Sequence, residues 1–127
     1  MPQIILASSS IYRKELLERL LLGFKVVKPD MEEIRIESET AYDTASRLSE
    51  EKAKKVSSQF KEAIVIGCDQ TAQFNNIQIQ KPLDYKTALM QLKELSGKRV
   101  YFHSGICVYY DKGNIFQKKV ISFDVKY

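Results

Sequence analysis

Histidine and cysteine are scarce in this chain of 127 residues, and their scarcity argues against several kinds of site. The sequence has one histidine, His103, and two cysteines, Cys68 and Cys107. The two cysteines are far apart and lack the CxxC spacing that is typical of zinc sites and redox pairs. Two isolated thiols also make no disulfide framework, so we expect reduced cysteines in a cytoplasmic protein.

Long hydrophobic runs and blocks of like charge are missing as well. The N-terminal apolar run, Ile4–Ala7, has no basic segment before it and is too short for a signal peptide or a membrane span. The net charge is +4, but no five Lys or Arg residues are consecutive, so neither a nucleic acid nor a membrane is an expected partner. Without repeats or linkers, the composition predicts a single domain over residues 1–127.

The segment 63–69 carries the strongest local signal in the sequence. Its apolar residues, 63–66, predict a strand that is buried on both faces and ends near Asp69. Ligands bind where the strands of an open α/β sheet end, so a carboxylate there is a candidate functional group. An aspartate at a strand end can equally cap a turn or face water.

A second candidate site follows the predicted strand Ile4–Ala7. The serines at 8–10 precede a predicted helix, and a serine-rich turn at a helix N-terminus can bind an anion through free N–H groups. Arg13 and Lys14 lie in the first turn, where the helix dipole disfavours cations unless an anion binds. Otherwise they are two solvated surface cations. The apolar face predicted for this helix contains Leu16, Leu17, Leu20 and Leu21.

Charged residues occupy two further unusual places. Asp30, Glu32 and Glu33 cluster in a loop, which is either solvated or supplies oxygen ligands to a hard cation such as Mg²⁺. The longest predicted helix, 41–58, has Lys52 on its apolar stripe. Its ammonium either reaches the edge of the core and water or projects into a cleft that binds an anion.

The remaining segments predict strands and one helix. Lys81 precedes Pro82, which restricts Lys81 to an extended backbone. A helix begins after Asp84, carries Leu89, Leu92 and Leu95 on one face and ends near Gly97. Strands are predicted at 24–27, in a hairpin at 73–79 that turns at Asn75-Asn76, at Arg99–Tyr110, and in a final alternating run with Ile121, Phe123, Val125 and Tyr127 on one face.

Six blocks of the sequence keep the order and spacing of a known family. They are residues 6–17, 51–53, 66–70, 81–82, 95–98 and 123–125. This pattern resembles the Maf family, nucleoside triphosphate pyrophosphatases that are also described as septum-formation inhibitors. The Asp69-Gln70 pair, where many members have Asp-Thr, and the Phe-Asp-Val of 123–125 resemble the branch that acts on 7-methyl-GTP.

The resemblance implies an α/β fold with a Maf/ITPase-like elongated mixed sheet, flanking helices and a central nucleotide cleft. It implies hydrolysis of a nucleoside triphosphate, 7-methyl-GTP or another modified nucleotide, to the monophosphate and pyrophosphate with Mg²⁺ or Mn²⁺. Family members continue into a C-terminal segment, so relative to them we expect a truncated chain. The alternative is a weak or inactive nucleotide-binding homologue, and we expect a homodimer that covers the last strand.

The resemblance also implies roles for individual residues. Asp69 would be the catalytic carboxylate, as general base or metal ligand, and Glu33 would help to bind the metal. Arg13, Lys52 and Lys81 would hold the triphosphate and stabilise the charge that develops during reaction. The other implied roles are phosphate binding by Ser8, Ser9 and Lys14, and base recognition by Tyr12 and Gln70.

The first block departs from the family pattern at three positions. Ile11 stands where the family usually has proline, which only preorganises the first helical turn. Lys14 replaces a second arginine and keeps the charge but loses bidentate geometry. Tyr12 replaces the tryptophan of the 7-methyl-GTP branch. An aromatic ring there can still stack on a purine and gain from the charge of a methylated base.

Overall fold

Apolar segments of the sequence pair into one mixed sheet in the computed structural model, which describes residues 2–127. The elements in chain order are β1 (Ile4–Ala7), α1 (Ile11–Glu18), β2 (Lys25–Val27), α2 (Ala41–Ser57), β3 (Ile64–Phe74), β4 (Ile77–Ile79), α3 (Tyr85–Leu95), β5 (Arg99–Tyr110) and β6 (Ile115–Lys126). The α/β class with a mixed sheet and flanking helices is therefore confirmed.

The sheet is organised around β3. The strand order is β2-β1-β3-β5-β6, and β4 pairs with the far half of β3. β1 runs parallel to both β2 and β3, whereas β5 is antiparallel to β3 and to β6. The β3–β4 hairpin turns at Asn75 and Asn76 as predicted, and both have positive φ (51° and 62°), as a two-residue hairpin turn requires.

Helix α2 packs directly on β3 and β5 because glycine faces it on both strands. A side chain at Gly67 would collide with the backbone of Ser49 and Ala53, and one at Gly105 would collide with the backbone of Ala45. The small residues of α2 are fully buried at this contact. The close approach of helix and sheet brings the side chains of the following helical turn to the edge of β3.

The prediction of a strand that is buried on both faces and ends near Asp69 is wrong. β3 continues to Phe74 because β5 pairs with it from Val65 to Gln73. Burial alternates along β3, so that Val65, Asp69 and Thr71 lie under α2 while the opposite face is partly exposed. Asp69 therefore lies within a strand and faces a helix, and does not lie in a loop at a strand end.

The apolar faces predicted for the first and third helices are not buried within residues 2–127. α1 ends at Glu18 and buries no residue, and α3 buries only Leu95. Exposed positions of these faces and of β6 are Leu16, Leu20, Leu21, Leu89, Leu92, Ile121, Phe123, Val125 and Tyr127. The pattern predicted the elements correctly, but amphipathic spacing does not specify a packing partner. In the same described range, no helix has the length and apolar content needed to cross a membrane.

Candidate functional site

The centre of the candidate site is an ion pair between α2 and β3. The Lys52 ammonium donates to Asp69 Oδ1 at 2.9 Å, and both side chains are buried. It lies 2.7 Å from Glu33 Oε1 and 3.4 Å from the backbone oxygen of Cys68. Lys52 thus points inward between two carboxylates, which is the second of the two orientations considered from the sequence. The close packing of α2 on the sheet makes this contact possible.

Burial sets the protonation behaviour of Asp69. Removal from water raises the pKa of the Asp69 carboxyl above its ordinary 3.8, and the neighbouring Lys52 ammonium partly opposes that rise. The Glu33 carboxylate, on the other side of the same ammonium, raises the pKa of Asp69 further. A carboxyl group with a raised pKa accepts a proton more readily near neutral pH, which is the property required of a general base.

The serine turn after β1 lies beside this ion pair. Ser8 is buried, and its hydroxyl accepts a hydrogen bond from the backbone N–H of Ser10. The Ser10 hydroxyl in turn caps α1 by accepting from the backbone N–H of Arg13. Arg13 Nη1 lies 3.5 Å from Ser8 Oγ and 3.4 Å from the Cys68 carbonyl oxygen. That carbonyl therefore holds two cations, Arg13 and Lys52, next to a helix N-terminus. Two cations and free N–H groups in one place form a suitable environment for phosphate oxygens.

Three of the predicted phosphate-binding residues stay outside this cluster. Ser9 is exposed at the start of α1. Lys14 is also exposed and lies 4.0 Å from Glu18 in an i,i+4 pair on the helix surface. Lys81 is exposed between β4 and α3, and no hydrogen bond or ion pair joins it to another residue of the range 2–127. Their roles in phosphate binding stay predictions.

The two residues predicted to recognise the base also differ in their surroundings. Tyr12 is 75% exposed in the first turn of α1. Gln70 follows Asp69 along β3 and so points to the opposite face of the sheet, where its amide donates to Ser104 Oγ at 3.0 Å. The structure therefore does not bring Gln70 to the Asp69–Lys52 pair. Base recognition by either residue stays a prediction.

Sequence reasoning missed an arginine that organises the loop before α2. Arg47 binds the carboxylate of Glu39 through Nε and Nη2, at 2.8 and 2.9 Å, and donates to the Ile34 carbonyl at 2.9 Å. It also pairs with Glu51 one helical turn later. The hydrogen bond from Arg47 lowers the pKa of Glu39. The i,i+4 spacing to Glu51 was visible in the sequence, but the contact with Glu39 was not.

The single histidine also has a structural environment that no sequence pattern indicated. His103 on β5 is buried, with Nδ1 2.7 Å from Ser122 Oγ and Nε2 2.9 Å from Gln73 Oε1. The Gln73 oxygen can only accept, so Nε2 carries the proton and Nδ1 accepts from the serine hydroxyl. Burial lowers the pKa of His103 below 6.5. A neutral imidazole thus links three neighbouring strands.

Two cavities of about 470 and 420 Å³ lie at the opposite end of the sheet. Both are lined by Pro2 and Gln3 at the start of β1, the first also by residues 21–25 and the second by residues 60–63. The Asp69–Lys52 pair lies beyond the other end of β1, where Ala7 is in register with Gly67. Neither cavity is the nucleotide cleft that the resemblance implies.

The carboxylates of the candidate site supply only some of the ligands that a divalent cation needs. Glu33 and Asp69 already share one cation, the Lys52 ammonium. Mg²⁺ is commonly held by one or two carboxylates together with substrate phosphates, and this pair fits that pattern. Within residues 2–127 no cluster of three or more His, Cys, Asp or Glu side chains could hold a metal without a substrate.

Comparisons with known proteins identify the family and the fold. A family model described as Maf-like protein matches residues 3–127. Proteins named 7-methyl-GTP pyrophosphatase are similar to this chain: that of Methylobacillus flagellatus is 44% identical over 127 residues, which is 100% of this chain and 66% of that protein. The protein of Ralstonia nicotianae is 47% identical over 85% of this chain and 56% of its own length, and that of Burkholderia pseudomallei is 42% identical over 99% and 60%.

The chain thus spans between 56% and 66% of the length of these three relatives. Among solved structures, the Ham1 protein of Staphylococcus aureus matches with a TM-score of 0.53 and 17% sequence identity. That match covers 97% of this chain and 69% of the Ham1 chain. At this level of identity, the similarity supports the fold alone.

Proposed function

Because this chain belongs to the Maf-like protein family, we propose that it hydrolyses a nucleoside triphosphate to the monophosphate and pyrophosphate. The similar proteins named 7-methyl-GTP pyrophosphatase, at 38–47% identity, suggest 7-methyl-GTP or another modified nucleotide as the substrate. The observation that carries the proposal is the buried Asp69–Lys52 pair, with Arg13 on the adjacent Cys68 carbonyl.

The reaction needs a base for water and cations for the phosphates. Asp69 is the proposed base, since burial raises its pKa and one of its carboxylate oxygens accepts from Lys52. In the free protein the Lys52 ammonium is shared between Asp69 and Glu33. Triphosphate oxygens would compete for that ammonium and for Arg13, and this would leave the Asp69 carboxylate available to take a proton from water. Lys52 and Arg13 would then stabilise the charge on the departing pyrophosphate.

A divalent metal ion, Mg²⁺ or Mn²⁺, belongs to the same proposal. Glu33 and Asp69 are the residues that would hold it, together with oxygens of the substrate. The ion would neutralise phosphate charge. Chelation of divalent ions should therefore abolish turnover, and addition of Mg²⁺ or Mn²⁺ should restore it.

Substrate binding would extend beyond this pair. The N–H groups at the start of α1 would donate to phosphate oxygens beside Ser8 and Ser9, and the exposed cations Lys14 and Lys81 would add positive charge. The exposed Tyr12 ring would stack on the base, where a methylated purine adds a cation–π contact. Gln70 would contribute to base choice from the other face of β3. The cytoplasmic location expected from the sequence stays a prediction.

The second candidate function is nucleotide binding without efficient turnover, in a homodimer. It is favoured by the position of the two cavities, which lie at the other end of β1 from the buried Asp69–Lys52 pair. It is also favoured by β6, an edge strand on which Ile121 and Phe123 are 55% and 44% exposed. A second copy of the chain could cover such an edge.

Product analysis separates the two candidates. The chain is incubated with 7-methyl-GTP and with the standard nucleoside triphosphates in the presence of Mg²⁺ or Mn²⁺, and the products are resolved by anion-exchange chromatography. The proposal predicts equal amounts of the monophosphate and pyrophosphate, with 7-methyl-GTP preferred. Nucleotide binding without products would support the second candidate. Diphosphate and inorganic phosphate as products would contradict the proposed position of cleavage.

A further inference from the structure

The loop that carries Glu33 contains neither a helix nor a strand. It connects β2 to α2 as an irregular segment, residues 28–40. The Glu33 side chain is 53% exposed and makes one ion pair, with Lys52 at 2.7 Å. A half-exposed ion pair alone stabilises a loop conformation only weakly, because solvent screens its charges. The position of Glu33 therefore needs a second source of order.

Arg47 contacts both ends of the segment that follows Glu33, residues 34–39. It donates to the carbonyl oxygen of Ile34, the residue directly after Glu33, at 2.9 Å. Two further bonds go to the carboxylate of Glu39, directly before the N-cap residue Thr40, at 2.8 and 2.9 Å. The bonds to Glu39 are bidentate and charge-assisted, which makes them among the stronger hydrogen bonds in proteins.

The surroundings of Arg47 make these contacts stable. The side chains of Arg47 and Glu39 are only 21% and 12% exposed. Thr44 donates a further hydrogen bond to Glu39 at 2.6 Å, and Glu51 accepts from the third guanidinium nitrogen at 3.2 Å. All three nitrogens of the guanidinium are thus engaged, and its planar fork is oriented by α2.

We propose that Arg47 is a positioning residue, which fixes the loop around Ile34 and thereby keeps the Glu33 carboxylate on the Lys52 ammonium beside Asp69. Within residues 2–127 the hydrogen bonds of the Arg47 side chain go to Ile34, Glu39 and Glu51, so Arg47 acts through the backbone next to Glu33. The effect on turnover rests on the proposed pyrophosphatase function, whereas the effect on the position of Glu33 is independent of any activity.

The first test measures the Glu33–Lys52 contact chemically. A carbodiimide adds to an exposed carboxyl group to form an O-acylisourea. A contacting amine, after losing a proton, displaces the urea and forms an amide, so that the protein loses the mass of one water. We expect the Lys52–Glu33 amide, detected by mass spectrometry, in the natural chain. The variant Arg47→Lys keeps a positive charge, but an ammonium cannot reproduce the bidentate fork together with the bond to Ile34. The yield of the amide should fall several-fold in this variant.

Two controls make the result specific. The exposed Lys112–Glu62 pair, at 2.8 Å, lies on other elements, and its amide yield should stay unchanged in Arg47→Lys, which also shows that the variant folds. Arg99→Lys changes another arginine that pairs with a carboxylate, Asp124, and should leave the Lys52–Glu33 yield unchanged. An unchanged Lys52–Glu33 yield in folded Arg47→Lys would overturn the proposal.

The second test is a double-mutant cycle on turnover of 7-methyl-GTP. Loss of a positioning partner of this kind typically lowers activity by about 10- to 100-fold. That loss in Arg47→Lys should disappear when Glu33→Gln is already present, because Arg47 acts through Glu33. Equal losses in both backgrounds would contradict the proposal. If the natural chain shows no turnover, the proposed function fails, and the amide yields still decide whether Arg47 positions Glu33.

Discussion

Lys52 is the residue on which the candidate site most depends, because its one ammonium contacts two carboxylates. Replacement by methionine keeps most of its apolar stem and removes the charge. Asp69 then loses two of the three influences that lower its pKa, the charge of Lys52 and its hydrogen bond, and keeps only the charge of Arg13, while burial continues to raise the pKa. We expect Lys52→Met to lower the free energy of unfolding by about 3 kcal/mol at pH 8.

The sign of the pH dependence distinguishes loss of the Lys52 charge from a general loss of packing. A carboxyl group with a folded-state pKa above the unfolded value binds its proton more tightly in the folded protein, so stability falls as the pH rises through that pKa. The deficit of Lys52→Met should therefore be smaller at pH 5 than at pH 8 in urea unfolding. A deficit that is equal at the two values would contradict the account of Asp69.

His103 gives a second prediction at the scale of one residue. Burial lowers its pKa below 6.5, and it is the only histidine, so its ring protons can be assigned directly in an NMR titration. We expect a pKa below 6.5 and a proton on Nε2 in the neutral form. Because the unfolded chain binds this proton more readily, stability should fall as the pH drops below 6.5. A pKa at or above 6.5 would show that the imidazole is not held by Gln73 and Ser122.

At the scale of elements, the contact of α2 with the sheet determines whether the ion pair forms at all. Gly105→Ala places a methyl group against the backbone of Ala45, and relief of that collision must move the helix. We expect a loss of about 3 kcal/mol or more in the free energy of unfolding. Gly23→Ala is the matched control, since a methyl group there meets no atom within 4 Å. Similar losses in the two variants would contradict the close packing of α2.

The sequence predicted most elements but not their extent or their partners. The boundaries of β5 agree with the prediction, and α2 differs by one residue, because long periodic segments determine their own limits. The extent of β3 was wrong, since pairing with β5 carries the strand past Asp69 although the apolar run stops earlier. Pairing between distant segments leaves no local pattern.

The candidate site could also be predicted from the sequence only in part. Asp69, Lys52 and Ser8 could be selected because each is a polar residue in an apolar or capping position. The Cys68 carbonyl, which holds both Arg13 and Lys52, could not be selected, since every residue has a carbonyl group. Arg47 was also missed, because its partner Glu39 lies outside the helix in a loop of irregular backbone.

At the scale of the whole molecule, α2 covers one face of the sheet, and apolar side chains on the opposite face are partly exposed. Ile121 and Ile106 are 55% and 40% exposed on that face. Exposed apolar surface on an edge strand favours self-association. Light scattering should detect concentration-dependent dimers, and Ile121→Lys should shift the protein towards the monomer. A monomer at all concentrations would contradict the proposed homodimer.

In the proposed reaction, the Asp69–Lys52 pair promotes hydrolysis of a nucleoside triphosphate between its α- and β-phosphates. The most direct measurement is release of pyrophosphate from 7-methyl-GTP with Mg²⁺ by the natural chain and by Asp69→Asn. Asp111→Asn is the matched control, because Asp111 is exposed in the turn between β5 and β6. We expect turnover that Asp69→Asn lowers at least 100-fold, the order expected for loss of a general base, and that Asp111→Asn leaves unchanged. Turnover that survives in Asp69→Asn would contradict the proposed reaction.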